Sequence, residues 1–327
     1  MLIKKFLKYK NAKCSDTTIT SYHSDLNIYF CYNIVENENK LFTNTRKLEL
    51  SNFFDYGLID LKWSGNRYQR IRSLMNSFSD FIVDFLDEEY PNFKNIVNKS
   101  VVKVEKIPVR KKTVILPEQV YKLRDTLIAD NKFQEAVYLM LLASSGARIS
   151  ESLRIDVDMV DENFTAYEGL FLETTSDLKT KGHGKTGTMM TRFIIKDVFL
   201  PIYTQWLPMR EKTMKENGKE HVKMFIRSNG EPVTESIVRT WIGKWELILN
   251  VDLYAHAFRH FIVSDLTRKG CSSDFIVAVM KWKSAAMYNI YCDIEDKDKK
   301  WKDIGKLKDA MALQEKFIAK EDDKRDL

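Results

Sequence analysis

Hydrophobic residues recur every three or four positions through the first hundred residues of the chain. This spacing predicts amphipathic helices over residues 14–35, 48–56 and 65–87, the last with a continuous stripe of aromatic and aliphatic side chains. Short polar stretches separate the three helices. The pattern therefore predicts a small all-helical domain over residues 1–100.

The pattern changes over residues 101–115, VVKVEKIPVRKKTVI, which mix β-branched residues with lysine and have no helical period. Such a segment predicts a linker rather than a packed element. Pro117 fits the first turn of the next helix, because proline lacks the backbone N–H that is unpaired there. A second domain is therefore expected to begin at residue 116.

Helical spacing dominates this second part of the chain up to residue 295. An extended run at 169–173, a glycine-rich stretch at 181–187 and the apolar segment TRFIIK predict a β-hairpin or small sheet within it. We therefore expect a mainly α protein, with a mixed, mostly helical domain over 116–295 and a tail over 296–327. The predicted helices of the domain over 116–295 cover 117–127, 132–143, 197–217, 234–248, 256–269, 273–281 and 284–292.

The formal net charge of +6 is concentrated in the first third of the chain. Residues 1–112 hold 19 Lys and Arg against 13 Asp and Glu, whereas residues 113–327 hold 33 of each. A basic domain with a basic linker fits a clamp around a phosphate backbone. On charge alone, a solvated surface with a charged hinge fits equally well.

Two groups of basic residues are the candidates for DNA contacts. One group lies in the first turns of the helix that begins after Ser64, where cationic and amide side chains gather at one end. The other lies in the linker. The candidates are Arg67, Arg70, Arg72, Lys103, Lys106, Arg110, Lys111 and Lys112.

Cysteine usage and hydropathy exclude several classes of protein. The four cysteines form no CxxC pair or Cys/His cluster, which predicts reduced thiols in the cytoplasm and no structural zinc. No apolar run is long enough for a membrane span, and the segment MLIKKFLKYK lacks the apolar core of a secretory signal. We therefore expect a cytoplasmic protein without a metal, a cofactor or a membrane partner.

Three separated segments carry the residues with the clearest chemical potential: SSGARISESLRI, HAFRH and KWKSAAMYNIY. Taken singly, they fit a surface ion pair, a structural polar cluster and a core aromatic pair. The spacing within HAFRH places three of its side chains on one helical face. The candidate residues are Arg148, Glu151, His256, Arg259, His260, Trp282 and Tyr291.

In order and spacing, the three segments resemble the motif boxes of the tyrosine recombinases, or phage integrases. The box T-G-x-R-x-x-E is matched by 145–151, H-x-x-R-H by 256–260, and a His or Trp nine residues before a nucleophilic Tyr by Trp282 and Tyr291. The likeness covers residues 10–295, including TTITSYHSDLNIYF and FIRSNGEPV. It implies a SAM-like core-binding domain, a recombinase catalytic domain, and an enzyme that cuts and rejoins DNA at specific sites.

The residue types suit phosphodiester transfer, which places negative charge on the non-bridging oxygens of the phosphate. Two guanidiniums can hold those oxygens and remain charged at any working pH, so Arg148 and Arg259 are the predicted clamp. His256 is expected to donate to the same phosphate, and Trp282 can offer its indole N–H. These four side chains are therefore predicted to be catalytic.

Tyr291 is the predicted nucleophile, forming a 3′-phosphotyrosyl bond that conserves the energy of the broken phosphodiester. Rejoining then needs no ATP. Tyr288 is a rival, but it lies six rather than nine residues after the tryptophan, so we expect it to pack. Glu151 and His260 are expected to support the phosphate-binding side chains, Glu151 by fixing Arg148 or a histidine.

The leaving 5′-oxygen needs a proton, which a lysine on a flexible hairpin can deliver. The family places this lysine on the turn before a strand, and here Lys179, Lys181 and Lys185 are available. Lys185 fits best, because the triplet KTG precedes TRFII, although the spacing carries a short insertion. Lys181 remains a competitor.

The resemblance also implies partners: double-stranded recombination sites, three further copies of the chain in a tetramer that passes through a Holliday junction, and accessory DNA-bending proteins. The tail resembles the segment that docks onto a neighbouring protomer, with a solvated charged tail as the alternative. Because the core-binding pattern begins at once, we expect a Xer-like or Cre-like plan without an arm-binding domain.

The biological task is predicted from composition. A Lys-, Asn- and Ile-rich chain indicates an AT-rich genome or mobile element, so we expect a mobile-element integrase, with chromosome or plasmid dimer resolution as the alternative. A type IB topoisomerase-like enzyme, which relaxes supercoils by the same chemistry, is a further alternative. A DNA-binding regulator that has lost catalysis is the remaining one.

Overall fold

The computed structural model describes residues 1–97, 113–180 and 187–292. Two compact units divide these residues, one with 1–97 and 187–188 and the other with 113–180 and 189–292. The first unit is helical, and the second combines helices with short strands. The mainly α fold with a small β component is therefore confirmed.

Four helices are described in the first unit, joined by short connections. The second helix begins where the Ser15 hydroxyl accepts a hydrogen bond from the Thr18 N–H, at 3.4 Å, and the fourth where Ser64 does the same for Arg67, at 3.3 Å. These caps pair backbone donors that the first helical turn leaves free. The helices are α1 (Leu2–Asn11), α2 (Asp16–Glu36), α3 (Lys47–Ile59) and α4 (Gly65–Phe85), with a 3₁₀ turn at Phe42–Asn44.

Helix α1 is absent from the sequence-based prediction. Its lysines dilute the apolar signal, and Phe6 is its one fully buried residue. The Phe6 ring packs edge-on against Phe78, with ring centroids 5.1 Å apart, and so joins a core rich in aromatic side chains. Tertiary packing, rather than a strong apolar stripe, therefore accounts for this helix.

Eight helices are described in the second unit. Residues 135–145 are buried without exception, so the second helix of this unit is surrounded by the others, and it is apolar on almost every face for that reason. The helices are α5 (Pro117–Ala129), α6 (Phe133–Ser145), α7 (Ile149–Ser152), α8 (Lys196–Glu216), α9 (Glu235–Leu249), α10 (Ala257–Arg268), α11 (Ser273–Val279) and α12 (Ala286–Tyr291), with a 3₁₀ turn at Val157–Met159.

Five short strands lie between α7 and α8: β1 (Thr165–Ala166), β2 (Phe171–Glu173), β3 (Leu178–Thr180), β4 (Thr188–Met190) and β5 (Phe193–Ile195). Strand β2 is antiparallel to both β1 and β5, in the register Ala166 with Phe171 and Phe171 with Ile195. Strands β3 and β4 pair separately. The predicted extended run and TRFIIK are thus neighbours in one sheet, and a second pair of strands separates them along the chain.

The described residues also bear on the membrane and metal predictions. No helix among them is long and apolar enough to cross a lipid bilayer. Within the same residues, no group of three His, Cys, Asp or Glu side chains is arranged to hold a metal ion. The four cysteines are free thiols.

Two helical glycines give a matched test of packing. A Cβ on Gly57 in α3 would lie 2.7 Å from Cδ2 of the buried Trp63 ring, whereas one on the exposed Gly243 in α9 would meet nothing within 4 Å. We expect Gly57→Ala to lower the free energy of unfolding by about 1–3 kcal/mol through overpacking. Gly243→Ala should raise it by about 0.5–1 kcal/mol through helix propensity.

Chemical denaturation followed by circular dichroism measures both changes. Equal effects of the two substitutions would contradict the packing of Trp63 over Gly57.

Candidate active site

The turn after α6 requires glycine. Gly146 has a φ of 57°, and a Cβ on it would lie 2.8 Å from Cγ2 of Ile262 and 2.9 Å from Cε of Met280. Left-handed backbone and close approach both exclude larger side chains here. The next residues are thereby held against α10 and the segment that follows α11, and α7 begins directly beyond, with Arg148 at its N-cap.

Glu151 is fully buried at the centre of a cluster of arginines. Its Oε1 lies 2.6 Å from Nη1 of Arg148, and its Oε2 lies 2.8 Å from Nη2 of Arg192. Nη1 of Arg259 is 3.7 Å from the same Oε2. The carboxylate thus joins three segments that are distant in sequence.

These partners hold the Glu151 carboxyl in its ionised form. Burial alone would raise its pKa, but the charges of Arg192, Arg148 and Arg259, with a hydrogen bond from the Arg148 N–H, lower the pKa below its ordinary value. The predicted contact of Glu151 with Arg148 is present.

Arg192 is a site residue that the sequence analysis missed. It is only 4% exposed and immediately precedes β5, in the TRFIIK segment that the sequence assigns to a β-hairpin or small sheet. The sequence did offer one signal, a single arginine beside an apolar run. If such an arginine points into the core, it needs a buried carboxylate as its partner. Its partner Glu151 lies in another segment, and a single sequence does not reveal that pairing.

Arg259 lies on α10 and is 2% exposed. Its Nε and Nη1 have no hydrogen-bond partner among the described residues. Burial, followed by the nearby charges of Arg148 and Arg192, lowers the pKa of Arg259 to about 10. The guanidinium is therefore still charged at neutral pH, and two of its nitrogens are buried without a hydrogen-bond acceptor in the described residues.

Aromatic rings and Arg259 enclose Tyr291 at the end of α12. The Tyr291 ring stacks on Trp282, with centroids 5.2 Å apart and planes inclined by 26°. The centroid of the His260 ring lies 4.9 Å from that of the Tyr291 ring. The Arg259 guanidinium is 5.6 Å from the Tyr291 centroid and 5.8 Å from that of Trp282.

Two further observations concern the Trp–Tyr segment. The indole Nε1 of Trp282 is buried without a hydrogen-bond partner in the described part of the chain. Tyr288, the rival tyrosine, instead has its hydroxyl 3.2 Å from that of Thr267 and 3.4 Å from Sγ of Cys292. The Tyr288 hydroxyl is thus engaged with Thr267 and Cys292.

His256 occupies the N-cap position of α10 and is solvent-exposed. Partial desolvation of the imidazole lowers the pKa of His256, and the charges of Arg148 and Arg259 lower this pKa further. The ring therefore favours the neutral form beside the two arginines, and one of its nitrogens carries a donor proton.

The remaining predicted residues divide between the first unit and segments outside the description. Arg70 meets the buried Asp25 through Nε and Nη2, each at 3.0 Å, and Arg67 lies 4.0 Å from the same carboxylate. Arg72 lies on the same helix, α4. The residues outside the described ranges are Lys181, Lys185, Lys103, Lys106, Arg110, Lys111 and Lys112.

Comparison with known proteins gives one family match and several structural relatives. The model of the phage integrase family matches residues 113–298. No curated protein matches the chain by sequence.

The structural relatives include the recombinase XerH bound to a palindromic difH substrate in a post-cleavage complex, with 15% identity, a TM-score of 0.63, and coverage of 96% of this chain and 95% of that one. The Tn1549 transposon integrase with circular intermediate DNA has 12% identity, a TM-score of 0.65, and coverage of 93% and 97%. A lambda integrase dimer bound to a core site has 14% identity, a TM-score of 0.60, and coverage of 89% of this chain and 94% of that one. At these identities the likeness shows a shared fold.

The arginine cluster makes a prediction about stability. Glu151→Gln removes a buried charge that three guanidiniums surround, and we expect the free energy of unfolding at neutral pH to fall by about 3–5 kcal/mol. Because the folded-state pKa of Glu151 is below its unfolded value of 4.5, the ionised carboxylate stabilises the fold above about pH 4.5, and this contribution is lost as pH falls through the folded-state pKa.

Denaturant unfolding of both proteins between about pH 7 and about pH 3.5 measures the effect, and the gap should narrow toward acid. Glu135→Gln is the matched control, because Glu135 is also buried but accepts a hydrogen bond from the neutral Trp245 Nε1, at 3.1 Å. We expect that variant to lose less. A pH-independent gap for Glu151→Gln would contradict the assignment of a stabilising ionised carboxylate.

Proposed function

Since the chain belongs to the phage integrase family, and is thus a tyrosine site-specific recombinase that breaks and rejoins DNA, we propose that Tyr291 is its nucleophile. The observation that carries this proposal is the position of the Tyr291 ring, which packs against Trp282 and His260 and lies 5.6 Å from the buried Arg259 guanidinium. A phosphate bound by that guanidinium would lie next to the tyrosine.

Arg148 and Arg259 are the proposed clamp for the scissile phosphate. Both cations lie beside the Glu151 carboxylate, and the side chain of Arg148 is 25% exposed whereas that of Arg259 is 2% exposed, so Arg148 is nearer the solvent. Unpartnered N–H groups on Arg259 favour an anionic ligand beside the two cations. Guanidiniums aimed at the non-bridging oxygens would stabilise the charge that develops in the transition state.

His256 and Trp282 are proposed to complete the ring of donors. The lowered pKa of His256 leaves a neutral imidazole, which donates one hydrogen bond without adding charge. The Trp282 indole N–H is buried without a partner in the described ranges and can serve the same phosphate. Together with the two arginines, they would hold the phosphate without a metal ion.

In the proposed reaction, the Tyr291 oxygen attacks phosphorus and the bond from phosphorus to the 5′-oxygen breaks. The products are a 3′-phosphotyrosyl linkage and a 5′-hydroxyl, because the tyrosine hydroxyl gives up its proton and the leaving 5′-oxygen takes one. A 5′-hydroxyl from the partner strand then attacks the phosphotyrosine, releases Tyr291 and restores a phosphodiester. Each step exchanges one phosphoester for another, so no ATP is consumed.

We propose Lys185 as the donor of that proton, with Lys181 as the competing candidate. Both belong to the glycine-rich stretch between β3 and β4, and glycines allow a lysine to reach the phosphate and withdraw between turnovers. The rest of the proposed site offers cations and an exposed histidine, but those groups are assigned to the phosphate oxygens.

For the DNA and the assembly, we propose the arrangement that the family implies. The helical first unit and the basic linker would bind the duplex through Arg67, Arg70, Arg72 and the linker cations, and four copies would exchange strands through a Holliday junction. The tail over 296–327 would dock on a neighbouring copy, and accessory DNA-bending proteins would set the direction. The XerH, Tn1549 and lambda relatives in complex with DNA support this proposal.

We propose that the biological task is the integration and excision of a mobile element. The Lys-, Asn- and Ile-rich composition supports it, as does a transposon integrase among the structural relatives. Xer-type resolution of chromosome or plasmid dimers is the second candidate, favoured by the likeness to XerH. The DNA that flanks the gene, bounded by element ends or not, separates the two.

The nucleophile is tested by covalent capture. The substrate is a nicked suicide duplex carrying the sequence that the wild-type protein selects from a random pool of duplexes. Tyr291→Phe should form no covalent adduct on a denaturing gel, because the attacking oxygen is gone, while a native gel shift persists. Tyr288→Phe, the matched control, should form the adduct, and the reverse pattern would reject Tyr291.

The general acid is tested with a 5′-bridging phosphorothiolate, whose sulfur leaves without a proton. We expect Lys185→Ala to cleave normal DNA slowly and the phosphorothiolate at nearly the wild-type rate. Lys181→Ala should show no such selective rescue. Rescue of Lys181→Ala alone would move the role to Lys181, and rescue of neither would exclude both lysines.

A further inference from the structure

A third buried arginine stands behind the proposed clamp. Arg192 is 4% exposed and lies 2.8 Å from Oε2 of Glu151, on the opposite branch of the carboxylate from the contact with Arg148. With Arg259 included, the cluster holds three guanidiniums and one carboxylate. The formal charge of this buried group is therefore two positive units.

Arg192 is fixed at three points. Its backbone N–H donates to the Thr174 hydroxyl, at 3.0 Å, Nη2 reaches Glu151, and Nη1 donates to the Met280 carbonyl, at 3.4 Å. Met280 comes two residues before Trp282. One planar side chain thus connects β5, the start of α7 and the segment that leads to the Trp–Tyr stack.

The charge balance shows what Arg192 contributes. Glu151 attracts Arg148 and Arg259, and without a third cation it would cancel one of their two charges at the phosphate. A phosphodiester carries one negative charge, and the crowded transition state places more of it on the non-bridging oxygens. A clamp of net charge one would therefore stabilise this state much less than a clamp of net charge two.

We propose that Arg192 is a positioning residue that offsets the charge of Glu151 and so leaves both Arg148 and Arg259 to the phosphate. The proposal rests on the proposed function of the two arginines. Arg192 itself contacts the Glu151 carboxylate and the Met280 carbonyl, so we assign it no contact with the phosphate. Its bond to the Met280 carbonyl also holds the segment before Trp282, so a lysine would keep the charge but not both contacts.

The test is a charge cycle, measured as the rate of covalent adduct formation on the same nicked duplex. Arg192→Met should slow adduct formation on the order of 10- to 100-fold, because the clamp loses one net charge. Glu151→Gln in the same chain removes the charge that Arg192 offsets. The double variant should therefore recover at least about 10-fold over Arg192→Met.

Arg210→Met is the matched control for loss of a buried arginine. Arg210 is 3% exposed and donates to the carbonyls of Lys223, at 3.0 Å, and His221, at 2.6 Å, in a part of α8 that contributes no site residue. We expect it to lower the thermal midpoint as Arg192→Met does, but to form the adduct at the wild-type rate.

The outcomes are distinct. An Arg192→Met variant that reacts at the wild-type rate overturns the proposal, and so does a slow variant that Glu151→Gln does not rescue, because the role would then be structural. If Arg192→Met does not fold by circular dichroism, Arg192→Lys decides. A folded lysine variant within about 10-fold of wild type supports the charge role, and any larger loss overturns it.

Failure of the proposed function would look different. In that case the wild-type protein itself would form no adduct through Tyr291, whatever residue stands at position 192. The rates of the charge cycle are therefore compared only after the wild-type protein has been shown to form an adduct and Tyr291→Phe has been shown to abolish it.

Discussion

The contact of one buried carboxylate with three guanidiniums is the interaction on which the second unit depends. Glu151 is fully buried, and Arg192 and Arg259 are nearly so. Each of these charges alone would carry a desolvation penalty of several kcal/mol. They are tolerated because they lie together, so the start of α7, the start of β5 and α10 must meet when the unit folds. The contact that brings these segments together also fixes the positions of the three guanidiniums.

Close backbone approach makes this meeting possible. Gly146 ends α6 in a left-handed turn whose outer face touches Ile262 and Met280. The turn thereby brings Arg148 to α10, while Met280 receives the bond from Arg192. The segment from Met280 to Tyr291 is then held by a cation at one end and by the stack of Trp282 on Tyr291 at the other. Polar pairing and ring packing therefore act on one segment, and together they place the tyrosine beside Arg259.

A similar contact orders the first unit. Asp25 is 2% exposed on α2 and faces α4, where Arg70 meets it through two nitrogens and Arg67 lies at 4.0 Å. Arg67 also lies 5.9 Å from the Trp63 ring. A buried acid thus restricts the rotamers of Arg70 and attracts Arg67. In both units, a carboxylate inside the fold determines where arginines point.

The helices and the chemistry of the site follow from the sequence to different extents. Periodicity alone predicts α2, α3 and α4, and most helices of the second unit, because an amphipathic stripe is a local property. It misses α1, whose lysines obscure the stripe. It predicts a β-hairpin or small sheet but does not separate the sheet of β1, β2 and β5 from the pair β3 and β4, because strands of two or three residues carry little pattern. The motif spacing selects Arg148, Glu151, His256, Arg259, Trp282 and Tyr291.

The sequence by itself determined the residue types of the site and their order along the chain, since these are written in three short motifs. Only the tertiary structure decided which charged residues lie in contact with one another. Arg192 looked like an ordinary strand residue until folding placed it on Glu151, and Tyr288 was separated from Tyr291 by its contact with Thr267. Those distinctions depend on distances between segments, and such distances are determined by packing rather than by local pattern.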